Sequence, residues 1–240
     1  MDLRQIIKDK NTILVLSLDV TDQKSFFTIL KKCAPYICAL KLHFELYPFL
    51  TNKKLKKLLR YATKYKFIII EDRKFADIGN TNYLQSLEFI KKGITYFTSH
   101  LFTGKYALES FPCESNLFLI SDMSCKEAFL SDVVDLKNIM HQKSNEYYKN
   151  IPQVIGFVSQ FSINQNAITL RPGIRLTTSN ITTDNKGQQY KYPTVEPGIC
   201  WVVGREIYQA EYPDKIAKQY KILFEQNKSK WYNKTQTHYV

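Results

Sequence analysis

Short apolar runs rich in β-branched residues recur along the whole chain, and polar or turn-forming residues separate them. Runs of this length and composition predict buried strands. Eight are present, at residues 13–18, 36–42, 67–70, 94–97, 116–120, 154–158, 168–170 and 200–203.

Most of the intervals between these runs carry apolar residues at three- and four-residue spacing, which predicts amphipathic helices. The apolar faces are Leu55, Leu58, Leu59 and Ala62 in residues 50–66, and Leu84, Leu87 and Ile90 in residues 81–93, which end at Gly93. The interval 176–197 is rich in Thr, Asn, Asp and Gly and predicts a long loop. Strands that alternate with helices eight times over 240 residues predict an α/β fold, a single (β/α)8 TIM barrel that forms one domain over residues 1–240.

Composition narrows the choice of partners only in part. The chain has 34 Lys and Arg against 22 Asp and Glu, a net charge of +12, which suits nucleic acid, an acidic membrane or a small anion. The five cysteines show no C-x-x-C spacing and the four histidines no H-E-x-x-H pair, so we expect a reduced, cytoplasmic location and no structural zinc. No apolar run is long enough for a signal peptide or a membrane span, and we expect no membrane partner.

The lysines of residues 53–66 lie opposite the apolar face of the predicted helix. That arrangement is typical of a solvated outer helix of a barrel. A nucleic-acid groove would need interleaved aromatic residues and a recognised binding module, so we expect no nucleic-acid partner.

Polar residues follow nearly every predicted strand. In a (β/α)8 barrel, catalytic residues lie at the carboxyl ends of the strands. The residues at those ends are Asp19, Lys41, Asp72 with Lys74, His100, residues 121–124, Ser159 with Gln160, Arg171 and Arg205. Each could be an ordinary capping or loop residue, but together they predict an active site.

The segment IIIEDRKFADIGNT, residues 68–81, carries the densest charge. Asp72 and Lys74 are two residues apart on an extended segment and should point to the same face, with Asp77 in the turn that follows. Two carboxylates beside one ammonium group favour its charged form, so Lys74 is predicted to be a proton donor. Such a donor suits a reaction that generates a carbanion. The alternative is an ordinary surface network of ion pairs.

The segment EDRKFADIGNT resembles the signature of the orotidine 5′-monophosphate decarboxylases. The resemblance covers most of the chain, because LSLDV, LKLHFELY, DMSCK, VIGFV, PGI, GQQY and VVGREIY occur in the order of that family. D-x-K-x-x-D alone also occurs in sugar-phosphate decarboxylases with the same barrel. The longer segment together with GQQY and VVGR is more specific.

The resemblance implies that the chain decarboxylates orotidine 5′-monophosphate to UMP without a metal or an organic cofactor. The implied catalytic array is Lys41, Asp72, Lys74 and Asp77, in which Lys74 protonates C6 of the pyrimidine after carbon dioxide leaves. It also implies a homodimer with active sites shared across the interface, because Asp77, Ile78 and Thr81 enter the site of the partner subunit.

The resemblance further implies a set of substrate-binding residues. Asp19 and Lys41 would hold the ribose hydroxyls, and Ser124 the pyrimidine, unless Ser124 only caps the next helix. The remaining residues of the set are Pro172, Gln188, Tyr190, Gly204 and Arg205, of which Gln188, Tyr190 and Arg205 would hold the phosphate. A guanidinium suits phosphate oxygens, and barrels often bind phosphate after their last two strands. The polar loop 176–190 is predicted to close over it as a lid.

Three features depart from the family pattern. Arg171 stands where the family usually has threonine, residues 102–116 form a short connection, and KEAFLSDVVDLK lacks the usual small-residue loop. Three other functions stay open: a metal-dependent sugar-phosphate decarboxylase, a catalytically silent nucleotide-binding homologue, and a basic nucleic-acid-binding protein.

Overall fold

The protein folds around a closed barrel of eight parallel strands, seen in a computed structural model that describes residues 2–126 and 134–232. The barrel strands are β1 (Leu14–Ser17), β2 (Ala39–Leu42), β3 (Ile68–Phe75), β4 (Tyr96–His100), β5 (Asn116–Ile120), β6 (Val154–Val158), β7 (Ile168–Arg171) and β10 (Ile199–Val203). They follow one another around the barrel in chain order, and β10 closes it against β1. Strands β8 (Thr182–Thr183) and β9 (Gln189–Tyr190) form a separate antiparallel hairpin.

The helices that the structure describes alternate with these strands. They are α1 (Leu3–Lys10), α2 (Gln23–Cys33), α3 (Asn52–Tyr65), α4 (Gly79–Ile90), α5 (Lys105–Glu109), α6 (Val134–Asn150), α7 (Arg205–Tyr208) and α8 (Pro213–Tyr232). Short 3-10 turns occupy Ala34–Tyr36, Phe44–Leu46 and Leu101–Thr103. The predicted (β/α)8 fold is confirmed, and each of the eight predicted strands is present. In the described ranges 2–126 and 134–232, none of the helices has the length and apolar character needed to cross a bilayer.

Two boundaries differ from the sequence prediction. Strand β2 begins at Ala39 rather than at residue 36, because Ala34–Tyr36 forms a 3-10 turn with proline in its first positions. Strand β3 continues to Phe75 rather than stopping at residue 70, so the charged segment is part of the barrel wall. The charges at residues 71–74 are therefore held on a rigid strand and not on a loop.

The predicted apolar face of α4 is confirmed only in part, by Ile90, which packs against the core. Leu84 is 53% exposed, and the helix instead buries Asn82, Ser86 and Phe89. The Asn82 side chain donates from Nδ2 to the carbonyl oxygen of Asp77 (2.8 Å) and accepts from its backbone N–H (3.3 Å). Buried polar groups need such partners. The polar face therefore turns inward because it holds the Asp77 turn.

Candidate active site

Strand β3 is irregular at the point where its charged residues lie. Its pairing with β4 shifts register between Glu71 and Phe75, and Lys74 has a φ of 55°. A left-handed backbone is rare for residues other than glycine, and irregular strand pairing re-aims side chains. Asp72 and Lys74 both line the barrel mouth, as predicted, but a bulged strand and not regular alternation puts Lys74 there.

Asp72 is the centre of a cluster of charges. Its Oδ2 contacts the Nζ of Lys41 and lies 2.9 Å from the Nζ of Lys74. Its Oδ1 accepts a 2.8 Å hydrogen bond from the hydroxyl of Thr98, which in turn accepts the backbone N–H of Lys74 at 3.1 Å. The Nε2 of His43 lies 3.3 Å from Oδ2. One carboxylate thus holds two ammonium groups at the mouth.

The sequence did not point to Thr98 and His43 as part of this cluster. Thr98 lies within an apolar strand, where threonine is common for its shape alone. His43 directly follows β2, and this position at a strand end is the sequence feature that could have indicated a role in the site.

Burial and charge act against one another on these groups. Burial opposes ionisation of Asp72, but Lys41 and Lys74 outweigh it, so the pKa of Asp72 lies well below its usual range. Burial lowers the pKa of Lys74, Asp72 raises it, and Lys41 lowers it again, so that the net change is downward. Within one chain, Asp72 is therefore firmly ionised.

Of the two carboxylates predicted beside Lys74, Asp72 contacts it within one chain. Asp77 is exposed, and its Oδ1 accepts the backbone N–H of Ile78 at 2.7 Å. In residues 2–126 and 134–232, no ion pair joins Asp77 to Lys74. The second group near Asp72 is Lys41, a cation. Burial, with a further contribution from Lys41, lowers the pKa of Lys74 more than Asp72 raises it.

A cavity of about 280 Å³ opens at this end of the barrel. Ten of the predicted site residues line it: Asp19, Lys41, Asp72, Lys74, Ser124, Pro172, Gln188, Tyr190, Gly204 and Arg205. Ser17 and His43 line it as well. The predicted residues outside it are Asp77, Ile78 and Thr81, which lie on the turn after β3 and the start of α4. These three are the residues that the resemblance assigns to the site of a partner.

Arg205 and Tyr190 lie together at one end of the cavity and share an acidic neighbour. The Oδ2 of Asp184 lies 2.7 Å from Nη1 of Arg205 and accepts the hydroxyl of Tyr190 at 3.1 Å. Its Oδ1 accepts the backbone N–H groups of Lys186 and Gln188, at 2.9 and 3.0 Å. Desolvation opposes the charge on Asp184, but these donors outweigh it and lower its pKa to about 2.

Ser124 and Gln188 connect this end of the cavity to its other wall. The Nε2 of Gln188 donates to the hydroxyl of Ser124 at 2.6 Å, and the backbone N–H of Gln189 donates to the Ser124 carbonyl at 2.8 Å. The segment predicted to be a lid thus contacts the residue predicted to bind the pyrimidine. The alternative role of Ser124, as a helix cap, concerns a segment that includes residues 127–133, which lie outside the described residues.

Two acidic residues fix the ends of the long loop. Glu206 accepts the backbone N–H groups of Leu176 and Thr177, at 3.0 and 3.1 Å. Glu196 forms a two-point ion pair with Arg171, with Nη2 and Oε2 2.8 Å apart. Arg171, one of the departures from the family, therefore has a structural partner on the far arm of the loop. The loop is anchored at both ends, and its middle forms the β8–β9 hairpin.

Comparison with known proteins agrees with this geometry. Residues 12–220 match the model of the family described as "Orotidine 5'-phosphate decarboxylase / HUMPS family". The chain is similar to the orotidine 5'-phosphate decarboxylases of Rhizomucor pusillus (31% identity, 91% of this chain and 87% of that protein) and Schizosaccharomyces pombe (28%, 92% and 86%). The crystal structure of orotidine 5'-phosphate decarboxylase from Pyrococcus horikoshii is similar in fold, with a TM-score of 0.65, 21% identity, and coverage of 88% of this chain and 99% of that one.

Proposed function

The chain belongs to the orotidine 5′-phosphate decarboxylase / HUMPS family, and on that basis we propose that it is the carboxy-lyase that converts orotidine 5′-monophosphate to UMP in pyrimidine synthesis. The names of its relatives support this reaction. The observation that carries the proposal is the Lys41–Asp72–Lys74 cluster, which lies in one cavity with Arg205 and Tyr190.

The substrate spans the cavity with its phosphate at Gln188, Tyr190 and Arg205. The guanidinium and the phenol offer donors to phosphate oxygens at the end of the barrel where such groups often bind. A Cβ at Gly204 would lie 3.2 Å from the carbonyl oxygen of Ser17, so glycine suits the close approach of the backbone there. The opposite end holds the reacting atoms.

Between these ends, Asp19 and Lys41 hold the ribose hydroxyls, and Ser124 holds the pyrimidine. All three side chains line the cavity. Gln188 donates to the Ser124 hydroxyl, so a phosphate held by Gln188 is connected to the pyrimidine wall. Binding energy from the remote phosphate can then organise the reacting end.

At the reacting end, the bond between C6 and the substrate carboxylate breaks, its electron pair stays on C6, and carbon dioxide leaves. The Nζ of Lys74 then gives its proton to C6, and solvent restores that proton to the amine. Asp72 stays ionised because Lys41 and Lys74 hold its pKa low despite burial, so its negative charge opposes the substrate carboxylate until that group leaves. Every charge that the protein contributes to this scheme belongs to a side chain, and no metal takes part.

A second copy of the chain supplies the missing carboxylate. Asp77 of the partner, beside Lys74, would raise the pKa that burial and Lys41 lower, and so keep the proton donor charged. Asp77 is exposed on its own chain and free of any ion pair in the described residues, so it is available for this role.

An exposed apolar surface next to Asp77 supports the homodimer. Ile78 is 70% exposed, Leu84 53%, Phe102 64% and Tyr106 87%. Helices α4 and α5 lie against one another, since a Cβ on Gly79 would overlap the side chain of Ser110. Exposed apolar groups that cluster in this way mark association surfaces. Ile78 and Thr81 would enter the partner's site together with Asp77.

The five cysteines are free thiols, and this favours a reduced compartment, which we propose is the cytoplasm. In the part of the chain that the structure describes, no three His, Cys, Asp or Glu side chains are grouped as metal ligands. Metal dependence is decided by experiment.

The direct assay mixes the purified protein with orotidine 5′-monophosphate and follows the loss of orotate absorbance and the appearance of UMP, with and without a chelator. The proposal predicts equal turnover in both. Turnover that requires an added divalent ion would indicate a metal-dependent decarboxylase, and binding of UMP without any turnover would indicate a silent homologue.

A further inference from the structure

Asp184 lies where the site is built to hold a different anion. Its carboxylate contacts Arg205 and Tyr190, two of the three side chains that would hold the substrate phosphate. We propose that Asp184 is an internal competitor for the phosphate: it occupies Arg205 and Tyr190 in the substrate-free enzyme, leaves them when a phosphate binds, and returns as the product departs. This inference rests on the proposed function, because it assumes that phosphate binds to these residues.

Asp184 and a phosphate compete for the donors of Tyr190 and Arg205. The hydroxyl of Tyr190 has one proton, and it donates a hydrogen bond through that proton to Oδ2 of Asp184. A phosphate can accept a hydrogen bond from this hydroxyl only after Asp184 withdraws. Nη1 of Arg205 is likewise directed at Asp184. A two-point contact with phosphate uses the same fork of guanidinium donors. Two anions on one guanidinium would also repel one another.

The position of Asp184 in the loop allows this exchange. It opens the tip of the β8–β9 hairpin, where Gly187 donates its N–H to the Asp184 carbonyl at 3.0 Å. The ends of the loop are fixed elsewhere, by Glu206 and Glu196. Among the described residues, Oδ1 of Asp184 accepts hydrogen bonds from backbone groups of its own hairpin. Tyr190 belongs to the same hairpin, which backbone bonds hold to Ser124 and Lys126. Asp184 therefore leaves Arg205 and Tyr190 by rotation of its own side chain while the hairpin stays in place.

The exchange has a consequence for turnover. A carboxylate that re-enters the site opposes the phosphate of the bound product and so promotes release of UMP. It also keeps Arg205 and Tyr190 ordered while the site is empty. A nucleoside without phosphate has no need to displace Asp184, so its affinity should not depend on this residue.

The test compares the dissociation constants of UMP and uridine for the unmutated enzyme and for Asp184→Asn, by calorimetry. Asparagine keeps the size of the side chain and an oxygen for the Lys186 and Gln188 amides but removes the charge. We expect UMP to bind about threefold to tenfold more tightly to the variant, the size of effect typical of a partly exposed ion pair. Uridine affinity should stay unchanged.

Three further variants act as controls. Glu225→Gln removes one negative charge from α8, far along the chain from the hairpin. This variant should bind UMP and uridine with unchanged affinity. Asp184→Glu keeps the charge and should bind UMP no more tightly than the unmutated enzyme. Combined with Arg205→Ala, Asp184→Asn should bring no gain, because the contested guanidinium is gone.

Weaker or unchanged UMP binding by a folded Asp184→Asn protein would overturn the inference, as would an equal change for UMP and uridine. If thermal unfolding shows that Asp184→Asn does not fold, Asp184→Ser carries the same test. An unmutated enzyme that turns over orotidine 5′-monophosphate while Asp184→Asn gains no affinity would refute the competition alone. An unmutated protein that neither turns over this substrate nor binds UMP better than uridine would refute the proposed function as well.

Discussion

The ammonium group of Lys74 lies 2.9 Å from the carboxylate of Asp72, on a residue whose backbone φ is 55°. A left-handed backbone at a residue with a side chain costs about 1–3 kcal/mol and persists only where the surroundings enforce it. Here the Thr98 hydroxyl binds both the Lys74 N–H and the Asp72 carboxylate. The strained residue and its counter-charge are thus held by one neighbour, which fits a site organised for reaction rather than for stability.

Replacement of Lys74 by alanine should abolish decarboxylation but leave UMP binding within a few-fold of the unmutated value. The phosphate contacts lie on other elements, so the loss of the proton donor affects the rate and not the affinity. General-acid groups contribute about 10²- to 10⁴-fold to rates, so kcat should fall by at least that much. Arg73→Ala, an exposed neighbour on the same strand, is the matched control and should keep its activity. Near-normal turnover by Lys74→Ala would exclude Lys74 as the acid.

Thr98→Val removes the hydroxyl that connects Asp72 to the Lys74 backbone. Loss of a hydrogen bond to a buried charge costs about 1–3 kcal/mol, so kcat should fall roughly tenfold or more, with little change in UMP affinity. Thr98→Ser should restore the rate. Ser99→Ala removes the next hydroxyl along β4, which donates to the Phe75 carbonyl instead, and serves as the control. An unchanged kcat in Thr98→Val would show that the hydroxyl does not position the cluster.

Glu71 is fully buried, and burial raises its pKa to about 8, although the Phe44 N–H opposes the shift. The unfolded chain loses this proton near pH 4.3, so the contribution of Glu71 to stability is complete below that pH and is lost as the pH rises to about 8. Glu71→Gln does not titrate. Urea titrations give the free energy of unfolding of each protein. The value for Glu71→Gln minus the value for the unmutated protein should increase as the pH rises from about 5 to about 8. Parallel pH profiles for Glu71→Gln and the unmutated protein would contradict the assignment.

The Arg171–Glu196 pair should respond unequally to loss of its two members. The Arg171 side chain is 3% exposed, so Glu196→Gln leaves a buried guanidinium without a counter-charge and should cost about 3 kcal/mol of unfolding free energy. Glu196 is 41% exposed and can reach water, so Arg171→Met should cost less. The double variant should be more stable than Glu196→Gln alone. Urea unfolding measures the free energy of unfolding of the three variants. Equal losses of this free energy from the two single changes would contradict this account.

The sequence was sufficient for the barrel because each strand is a short apolar run and most helices carry a clear stripe. It was insufficient where polar residues are buried for structural reasons. Asn82 and Ser86 of α4 point inward because they bind the backbone of the Asp77 turn and of α4 itself, and no periodic pattern shows that.

The active site was also predictable from the sequence only in part. Residues such as Asp72 and Arg205 could be predicted, because strand ends and motifs mark them. Asp184 is the single carboxylate of residues 176–190, a loop rich in Thr and Asn, and nothing in the pattern shows that it faces Arg205 rather than solvent. Its contact with Arg205 depends on how the β8–β9 hairpin folds back over the barrel.

The most direct test of the central claim, that two chains together complete the decarboxylase site, mixes inactive Lys74→Ala and Asp77→Ala homodimers after dissociation and reassociation. If Lys74 and Asp77 in one site come from different subunits, each heterodimer contains one site with both changes and one with neither. Random pairing makes about half of the dimers heterodimers, so roughly a quarter of the unmutated site activity should return under two-fold symmetry. If both residues serve the site of their own chain, every site keeps one change. No recovery of activity, with subunit exchange verified by a tag, would contradict the shared site.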